Sequence, residues 1–495
     1  MILRLRQLQP LSLPLLLSSQ LLLTGCGAPE KPVPLEGMPA ELSELVEEDW
    51  SFRLQHDPLL ATTMGRREGL ERLPSVDDSA RSSMLAHSEQ LLERLRALDP
   101  ATLDSAARTT FEVLERLVAE RMEEQRFGGW QIPLNSDSGF HTSIARLPQD
   151  VPLDTLADHE AYIARLHDVP RYFSEQIANM RAGLGRGMTL SRVILDGYEE
   201  MAGAHADVEL EESVFWAPFA NLPDSLSEAE RTRLLEQGAA GVRAAIGAYG
   251  ELRDFLAEEY IPMARPTVGA LHLPGGRAYY EYLVRHFTTL DMTPEEVHAT
   301  GLAEVARIRA AMEAIIEEVG FEGSFADFLD HLRTDEAFYA RTGEELLERA
   351  SRICKLMDAK LPSLFTRLPR QPYGVEPVPD SIAPRYTGGR YVPASLDSLR
   401  AGTYWVNTYN LPSRPLYVLE ALSLHEAVPG HHLQIALAAE LEELPEFQNE
   451  LYISAFGEGW ALYCEALGKE VGFYEDPYSD FGRLTYEMWL SLIHI

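Results

Sequence analysis

Apolar residues recur at helical spacing along most of residues 36–370, and this periodicity restricts the chain to a mainly α-helical fold. The clearest example begins at Thr293-Pro294-Glu295-Glu296, a capping box with proline at the first helical position. Apolar side chains then follow at steps of three to five residues until Gly320, a typical helix stop. The same reasoning predicts a helix that opens at Ser227 and further helices over about 38–65, 79–98, 103–125, 157–184 and 343–360.

The pattern changes between about residues 370 and 410, where frequent prolines exclude long helices. Residues 402–409 are rich in β-branched and aromatic side chains, which favours a strand. We therefore expect a small β element here. Tyr404 and Asn407 are candidate substrate contacts, because the backbone edge of this strand could pair with an extended peptide. Ordinary sheet packing is the alternative.

Residues 1–25 have the character of an export signal. Arg4 and Arg6 precede an apolar stretch that is too interrupted to span a bilayer. It ends in Leu23-Thr24-Gly25-Cys26, which resembles a bacterial lipobox and implies cleavage before Cys26 and lipidation of that residue. Glycine follows the cysteine, so we expect a lipid anchor in the outer membrane with the protein facing the periplasm. An ordinary signal peptide with a chance cysteine is the alternative.

Composition excludes two kinds of binding site. The chain has 77 acidic and 43 basic residues, a formal charge of −34 at pH 7. A nucleic-acid binder needs a basic face to neutralise phosphates, so none is expected here. Beyond Cys26 the cysteines are Cys354 and Cys464, and no CxxC motif exists, which excludes a thiolate zinc site. These two cysteines could form one disulfide or remain buried thiols.

The segment from His425 to His432 contains the residue types of a zinc-hydrolase helix. In the simple form, a His-Glu pair is followed one turn later by a second histidine, so that both imidazoles face one ion. Here the next histidines come six and seven residues after His425, and Pro429-Gly430 interrupts the helix. A two-residue insertion would put His431 in the place of the second ligand, with His432 as the alternate.

The third ligand is expected from the following helix. Glu458 lies between two glycines in an otherwise apolar run, where a carboxylate is costly to bury unless it is paired or binds a metal. Glu465 lies two turns further on the same face and could hold a ligand imidazole by its other nitrogen. Two histidines and one glutamate suit Zn²⁺ with a fourth position open for water, although another divalent metal would also fit. Taken singly, each residue could instead be an ordinary core residue.

The segments His425–Gln434 and Phe456–Glu465 resemble the signatures of the DUF885 family of bacterial proteins, many of which are lipoproteins. The similarity runs from about residue 40 to residue 489. This family is distantly similar to the helical zinc oligopeptidases of the gluzincin type, although the spacing of the second histidine departs from their pattern. The resemblance implies a helical architecture around a deep cleft.

These observations lead to an expected mechanism. Bound zinc would polarise a substrate carbonyl and lower the pKa of its water toward about 7. Glu426 would take the proton from that water and pass it to the leaving amine. Tyr463 is the first candidate for a donor to the developing oxyanion, and Tyr452 and Tyr486 are others. We therefore expect an envelope metallopeptidase. The alternatives are a non-catalytic metal- or substrate-binding lipoprotein, and a metal-assisted amidase or esterase for non-peptide substrates.

Four segments are expected along the chain. A signal peptide over 1–25 precedes an N-terminal helical domain over 26–370 and a metal-site helical domain over 371–489. The family resemblance implies a further helical segment after residue 489, so we expect the second domain to be truncated. Residues 490–495 resemble translated adapter read-through and are expected to be a non-native tail, with a genuine short tail as the alternative.

Overall fold

The computed structural model describes residues 38–493, apart from 136–137, 381–382, 395–399 and 442–443. The export signal and Cys26 lie outside these residues. The described chain is mainly α-helical with one three-stranded sheet, which confirms the predicted fold class. None of its helices combines the length and the apolar character that a membrane crossing requires.

The first four helices share a small core. Leu45, Leu91 and Leu114 lie in it with at most 1% of their surface exposed. The region predicted as one helix over 38–65 is two helices, because Asp57 ends the first and caps the second by accepting the N–H groups of Leu59 and Leu60. The four helices are α1 Ala40–His56, α2 Pro58–Thr63, α3 Asp78–Ala97 and α4 Ser105–Phe127.

The largest core is built around two long helices. Phe173 from one and Tyr249 from the other are completely buried, and burying an aromatic side chain of this kind contributes about 1.5–3 kcal/mol. Both helices begin with capping boxes, and both were predicted. This region contains α5 Phe140–Ala145, α6 Leu147–Asp150, α7 Leu156–Arg186, α8 Tyr198–Ala206, α9 Ala217–Ala220, α10 Glu228–Phe255 and α11 Ile261–Met263, with a π-helical turn over Leu256–Tyr260.

The next five helices lead toward the sheet. One of them begins at Pro294, as the capping box predicted, with the Thr293 side chain accepting the N–H of Glu296. The predicted helix over 343–360 is present two residues shorter at its end. The helices are α12 Gly276–Thr288, α13 Pro294–Glu318, α14 Phe325–Thr334, α15 Gly343–Asp358 and α16 Leu361–Leu364.

The last five helices carry the motif residues. They are α17 Leu419–Glu426, α18 His431–Ala439, α19 Glu446–Asn449, α20 Ser454–Glu470 and α21 Pro477–Ile493. Phe481 and Leu484 of α21 pack into one core with Ile308 and Met312 of α13. Helices on both sides of residue 370 therefore share a core, and a division into two domains there stays a prediction.

The sheet contains β1 Tyr373–Pro377, β2 Gly389–Val392 and β3 Gly402–Val406, in the order β1-β3-β2. β3 is the predicted strand; it pairs parallel with β1 and antiparallel with β2. Because both edges of β3 are already paired, the expectation that its edge receives a peptide is wrong. Among the described strands, β2 is the edge strand beside α17.

Both cysteines of the described chain are free thiols. Cys354 lies on α15 and Cys464 on α20, and both are buried. Burial raises the pKa of Cys354 to about 12, so this thiol is protonated at neutral pH and unsuited to nucleophilic chemistry.

Candidate metal centre

The His-Glu pair lies at the C-terminal end of α17, which stops at Glu426. The backbone then leaves helical geometry at Ala427, with φ −97° and ψ −103°, and α18 begins at His431. The N–H group of Gly430 folds back and donates to the carbonyl of Leu424 at 3.0 Å. The connection between α17 and α18 is thus the backbone bulge that we predicted from the two additional residues. It places His431 beside the C-terminal end of α17.

Steric contact makes glycine necessary at position 430. A Cβ there would lie 1.8 Å from the carbonyl oxygen of His425 and 2.5 Å from that of Leu424. The φ of Gly430 is −73°, so the constraint is close approach and not a left-handed backbone. Trp460 of α20 donates its indole N–H to the carbonyl of Pro429 at 2.8 Å, which ties the connection to the helix that carries Glu458.

His425, His431 and Glu458 converge on one point. Oε2 of Glu458 lies 3.5 Å from Nε2 of His425 and 3.7 Å from Nε2 of His431. One donor atom from each residue lies within 4.8 Å of the other two. A tetrahedral zinc ion with bonds of about 2.0–2.1 Å separates its donors by about 3.3 Å. The distances of Oε2 of Glu458 to the two histidine nitrogens are thus close to the donor–donor distance of a zinc site, and longer than a direct hydrogen bond.

The electrostatics of the cluster suit cation binding. Burial lowers the pKa of His431 to about 4, with a further contribution from His425, so this imidazole is neutral and one ring nitrogen has a lone pair available. Burial alone would lower the pKa of His425, but its interactions with Glu458 and Glu465 outweigh burial and raise the pKa to about 10. The interaction with His425, together with a hydrogen bond from Tyr452, holds the pKa of Glu458 at about 2. Glu458 therefore supplies negative charge at the point where the three donors meet, and Glu465 contacts the opposite side of the His425 ring.

Glu426 is buried next to this cluster. Its Oε2 atom accepts the backbone N–H of Tyr391, on β2, at 2.8 Å. Burial raises the pKa of Glu426 above its usual value, and the charge of His425 and the Tyr391 N–H oppose this effect. The hydrogen bond fixes one carboxylate oxygen, and burial makes the group more basic than an exposed glutamate.

Glu465 and His432 lie behind the cluster. Oε1 of Glu465 lies 2.8 Å from Nδ1 of His425, as expected for a residue that orients a ligand imidazole. Nδ1 of His432 lies 2.9 Å from the hydroxyl of Tyr391, and its ring packs against Tyr373 with 4.5 Å between centroids. His432 therefore points away from the three donors.

The three tyrosines that the sequence offered as oxyanion donors lie in different surroundings. The half-exposed Tyr463 packs its ring near Trp460 and lines a cavity of about 250 Å³ together with Glu465 and Arg483. Tyr452 donates its hydroxyl to Oε1 of Glu458 at 2.6 Å, so Tyr452 and not Tyr463 is the phenol in contact with the cluster. Tyr486, on α21, is partly buried, which raises the pKa of its hydroxyl.

The two expected substrate contacts are structural. Tyr404 is completely buried on the central strand, with its hydroxyl 3.5 Å from that of Ser423. Asn407 is also completely buried, and its amide donates to the carbonyls of Ala383, Tyr386 and Thr387. Both side chains hold the sheet and its connections together, so the expectation that they contact substrate is wrong.

Two residues of β2 were missed in the sequence. Tyr391 contacts both Glu426 and His432, and Arg390 is the exposed residue beside it. β2 lies about 35 positions before the His-Glu pair, within the proline-rich stretch, and nothing in the local pattern links it to the motif. The run Gly388-Gly389-Arg390-Tyr391-Val392, with its aromatic and β-branched residues, was the available signal for a strand.

Comparisons agree with this architecture. The family described as "Bacterial protein of unknown function (DUF885)" matches residues 58–492. A crystal structure of a "putative lipoprotein" from Colwellia psychrerythraea is similar, with a TM-score of 0.81 and 25% identity over 92% of this chain and 82% of that one. A "putative lipoprotein of unknown function" from Shewanella oneidensis has the same fold, with a TM-score of 0.68 and 17% identity over 91% and 81% of the two chains. No curated protein matches the sequence.

Proposed function

The chain belongs to the DUF885 family of bacterial proteins, and we propose that it is a zinc-dependent hydrolase of peptide bonds. The observation that carries this proposal is the convergence of His425, His431 and Glu458 next to a buried, oriented Glu426. Storage or transport of a metal requires ligands but no proton acceptor. The arrangement of Glu426 therefore favours a hydrolase over a non-catalytic binding lipoprotein.

The donor set fits a zinc ion. Two imidazole nitrogens and one carboxylate oxygen are the ligands of catalytic zinc sites that leave a fourth position for water. In His431 the Nε2 atom faces Glu458, so this nitrogen is the one placed to bind an ion. Zinc bound there would polarise a substrate carbonyl and make water more acidic.

The residues around the cluster account for the remaining steps. Glu426 takes a proton from the attacking water and returns it to the leaving amine, and its raised pKa suits both directions of transfer. Tyr452 lies at the exposed side of the cluster, with its hydroxyl on Glu458, and is placed to donate to the oxyanion of the substrate after a change of partner. Glu465 holds the His425 imidazole so that Nε2 faces the cluster.

The test combines metal analysis with a digest. Purified protein should contain about one zinc per chain, cleave members of a peptide library, and lose this activity to a chelator with recovery on adding zinc. Glu426→Gln should retain the metal and the fold while losing about 100-fold or more of the turnover. Glu420→Gln, on the same helix, is the matched control. A metal content as low as that of His425→Ala would reassign Glu426 as a ligand.

A second candidate is an amidase or esterase for non-peptide substrates, since the same cluster would serve either bond. Parallel assays with peptide amides, simple esters and cell-wall fragments separate the two. Activity on esters and cell-wall fragments, but not on peptide amides, would contradict the peptidase proposal and remain consistent with the proposed metal centre.

The envelope location is also a proposal. The similar structures from Colwellia and Shewanella are described as lipoproteins, and Leu23-Thr24-Gly25-Cys26 supplies a lipidation sequence in this chain. We propose lipidation at Cys26 and an outer-membrane anchor with the protein facing the periplasm. Mass spectrometry of the membrane fraction should find a diacylglyceryl group on an N-terminal Cys26; an intact 1–25 segment would contradict this.

A further inference from the structure

Arg390 lies on β2, the strand nearest the candidate centre. It follows Gly389 and precedes Tyr391, whose N–H binds Glu426 at 2.8 Å. The side chain of Tyr391 is buried toward His432, whereas Arg390 is exposed. The strand therefore places a cationic side chain at the solvent side of the edge, one residue away from the contact that orients the proposed proton acceptor.

The strand that carries Arg390 contacts two of the helices that form the centre. The N–H of Tyr391 binds Oε2 of Glu426, at the end of α17, and its hydroxyl lies 2.9 Å from Nδ1 of His432, on α18. Arg390, the preceding residue of β2, is therefore held beside the place where α17 and α18 meet.

The side chain of Arg390 has no hydrogen bond or ion pair within the described ranges, although acidic residues outnumber basic ones by 77 to 43. The acids of the centre have other partners: Glu426 binds Tyr391, and Glu458 contacts His425, His431 and Tyr452. A guanidinium has five donors in a planar fork that matches a carboxylate. Its donors are therefore available to a ligand.

We propose that Arg390 binds a carboxylate of the substrate, so that the site prefers peptides with a free carboxylate close to the scissile bond. This inference rests on the proposed function. A neutral substrate needs no cation at this position, whereas an anionic one must approach a chain with a charge of −34 and two carboxylates at the centre. Glu458 and Tyr452 are the exposed members of the cluster, so a substrate that enters on their side meets Arg390 on the neighbouring strand.

Two sources supply this chemistry: the terminal carboxylate of a peptide, and the side chain of aspartate or glutamate. Three probes distinguish them: N-acetyl-Ala-Ala-Phe-Ala-Ala as the free acid, the same peptide as its amide, and an amide in which glutamate replaces the last alanine. Binding of each is measured calorimetrically to zinc-loaded Glu426→Gln protein, in which cleavage should be about 100-fold or more slower.

We expect the free acid, the glutamate amide, or both to bind about 10- to 100-fold more tightly than the plain amide, as for a hydrogen-bonded ion pair. Adding Arg390→Gln should remove this preference while leaving affinity for the plain amide unchanged, and Arg390→Lys should restore part of it. Arg243→Gln, an exposed arginine on α10, is the matched control and should change nothing.

A preference that persists in the Arg390→Gln protein would show that the carboxylate binds elsewhere, for instance on the metal, and would overturn the inference. Equal binding of all three probes would overturn it as well. Hydrolysis by wild-type protein is followed with the same probes. If all three probes are cleaved with equal kcat/KM in a metal-dependent way, the role of Arg390 is refuted and the proposed function stands. If none is cleaved, the proposed function is refuted, and the binding measurements alone decide whether Arg390 binds a carboxylate.

Discussion

Nδ1 of His425 lies 2.8 Å from Oε1 of the buried Glu465, on the side of the imidazole opposite to Glu458. A carboxylate in this place keeps the proton on Nδ1 and turns Nε2 toward the point shared with His431, where Nε2 would exchange its own proton for a cation. His425 is thus oriented before any cation arrives, by a residue 40 positions later in the chain.

Glu465→Gln should weaken zinc binding by about 10- to 100-fold without unfolding the protein, because the amide holds the imidazole less strongly than a carboxylate does. Competition with a chromophoric chelator gives the affinity, and circular dichroism checks the fold. Glu470→Gln, at an exposed position of the same helix, is the control. Equal affinities of the two variants would remove the orienting role of Glu465.

The adjacent histidines should behave differently on replacement. His431→Ala removes a donor from the cluster and should abolish stoichiometric zinc binding, whereas His432→Ala removes only the partner of the Tyr391 hydroxyl and should retain most of the metal. Metal content of both variants after identical dialysis is the measurement. Loss of zinc from His432→Ala alone would exchange the two roles.

Gly430→Ala should destabilise the protein by about 1–3 kcal/mol or more and impair zinc binding, because its methyl group would overlap the His425 carbonyl oxygen and displace the connection that carries His431. Thermal and urea unfolding measure the loss. Gly247→Ala is the control: it has open space around it within α10, and the change should stabilise the helix by about 0.5–1 kcal/mol. A Gly430→Ala protein as stable as wild type would contradict the geometry of the connection.

Glu420 gives a pH-dependent prediction. Burial, opposed by a hydrogen bond from Ser479 and reinforced by the charges of Asp476 and Glu475, raises its pKa from 4.5 to about 7. Across this interval the folded state holds a proton that the unfolded state has released, so the contribution of Glu420 to stability falls as the pH rises from 4.5 to 7. Glu420→Gln should therefore gain stability over wild type at pH 8 and little at pH 4.

Unfolding midpoints measured across this pH range test the prediction, with Glu322→Gln, at an exposed loop position, as the control. If Glu420→Gln and wild type respond to pH identically, the carboxyl of Glu420 does not have its raised pKa.

The features that were predicted correctly depend on neighbours in the sequence. The start of α13 was evident because Thr293 and Glu296 cap it through contacts three residues apart. The helix break before His431 was evident from Pro429-Gly430, the two residues directly before it.

Features that depend on distant partners were not predicted. Tyr404 is inaccessible because its face of the sheet packs against α15 and α17, and a strand pattern does not reveal which helices will cover that face. Tyr391 contacts Glu426 because β2 pairs with β3, and that long-range pairing was equally invisible in the sequence. The misplacement of Tyr463 was avoidable: it follows Glu458 by five residues, which turns it about 140° around the helix, away from the face of Glu458 and Glu465.

The three donors differ in exposure: the side chain of Glu458 is 54% accessible, against 17% for His425 and 11% for His431. Of the three donors, Glu458 has the most room to turn away from a cation, because both histidine side chains are largely covered by protein. The hydroxyl of Tyr452 resists that rotation by its 2.6 Å bond to Glu458. The rate at which the ion dissociates would therefore depend on Tyr452, although Tyr452 is not a ligand. Rebinding would be fast, because the two imidazoles keep their positions after the ion has left.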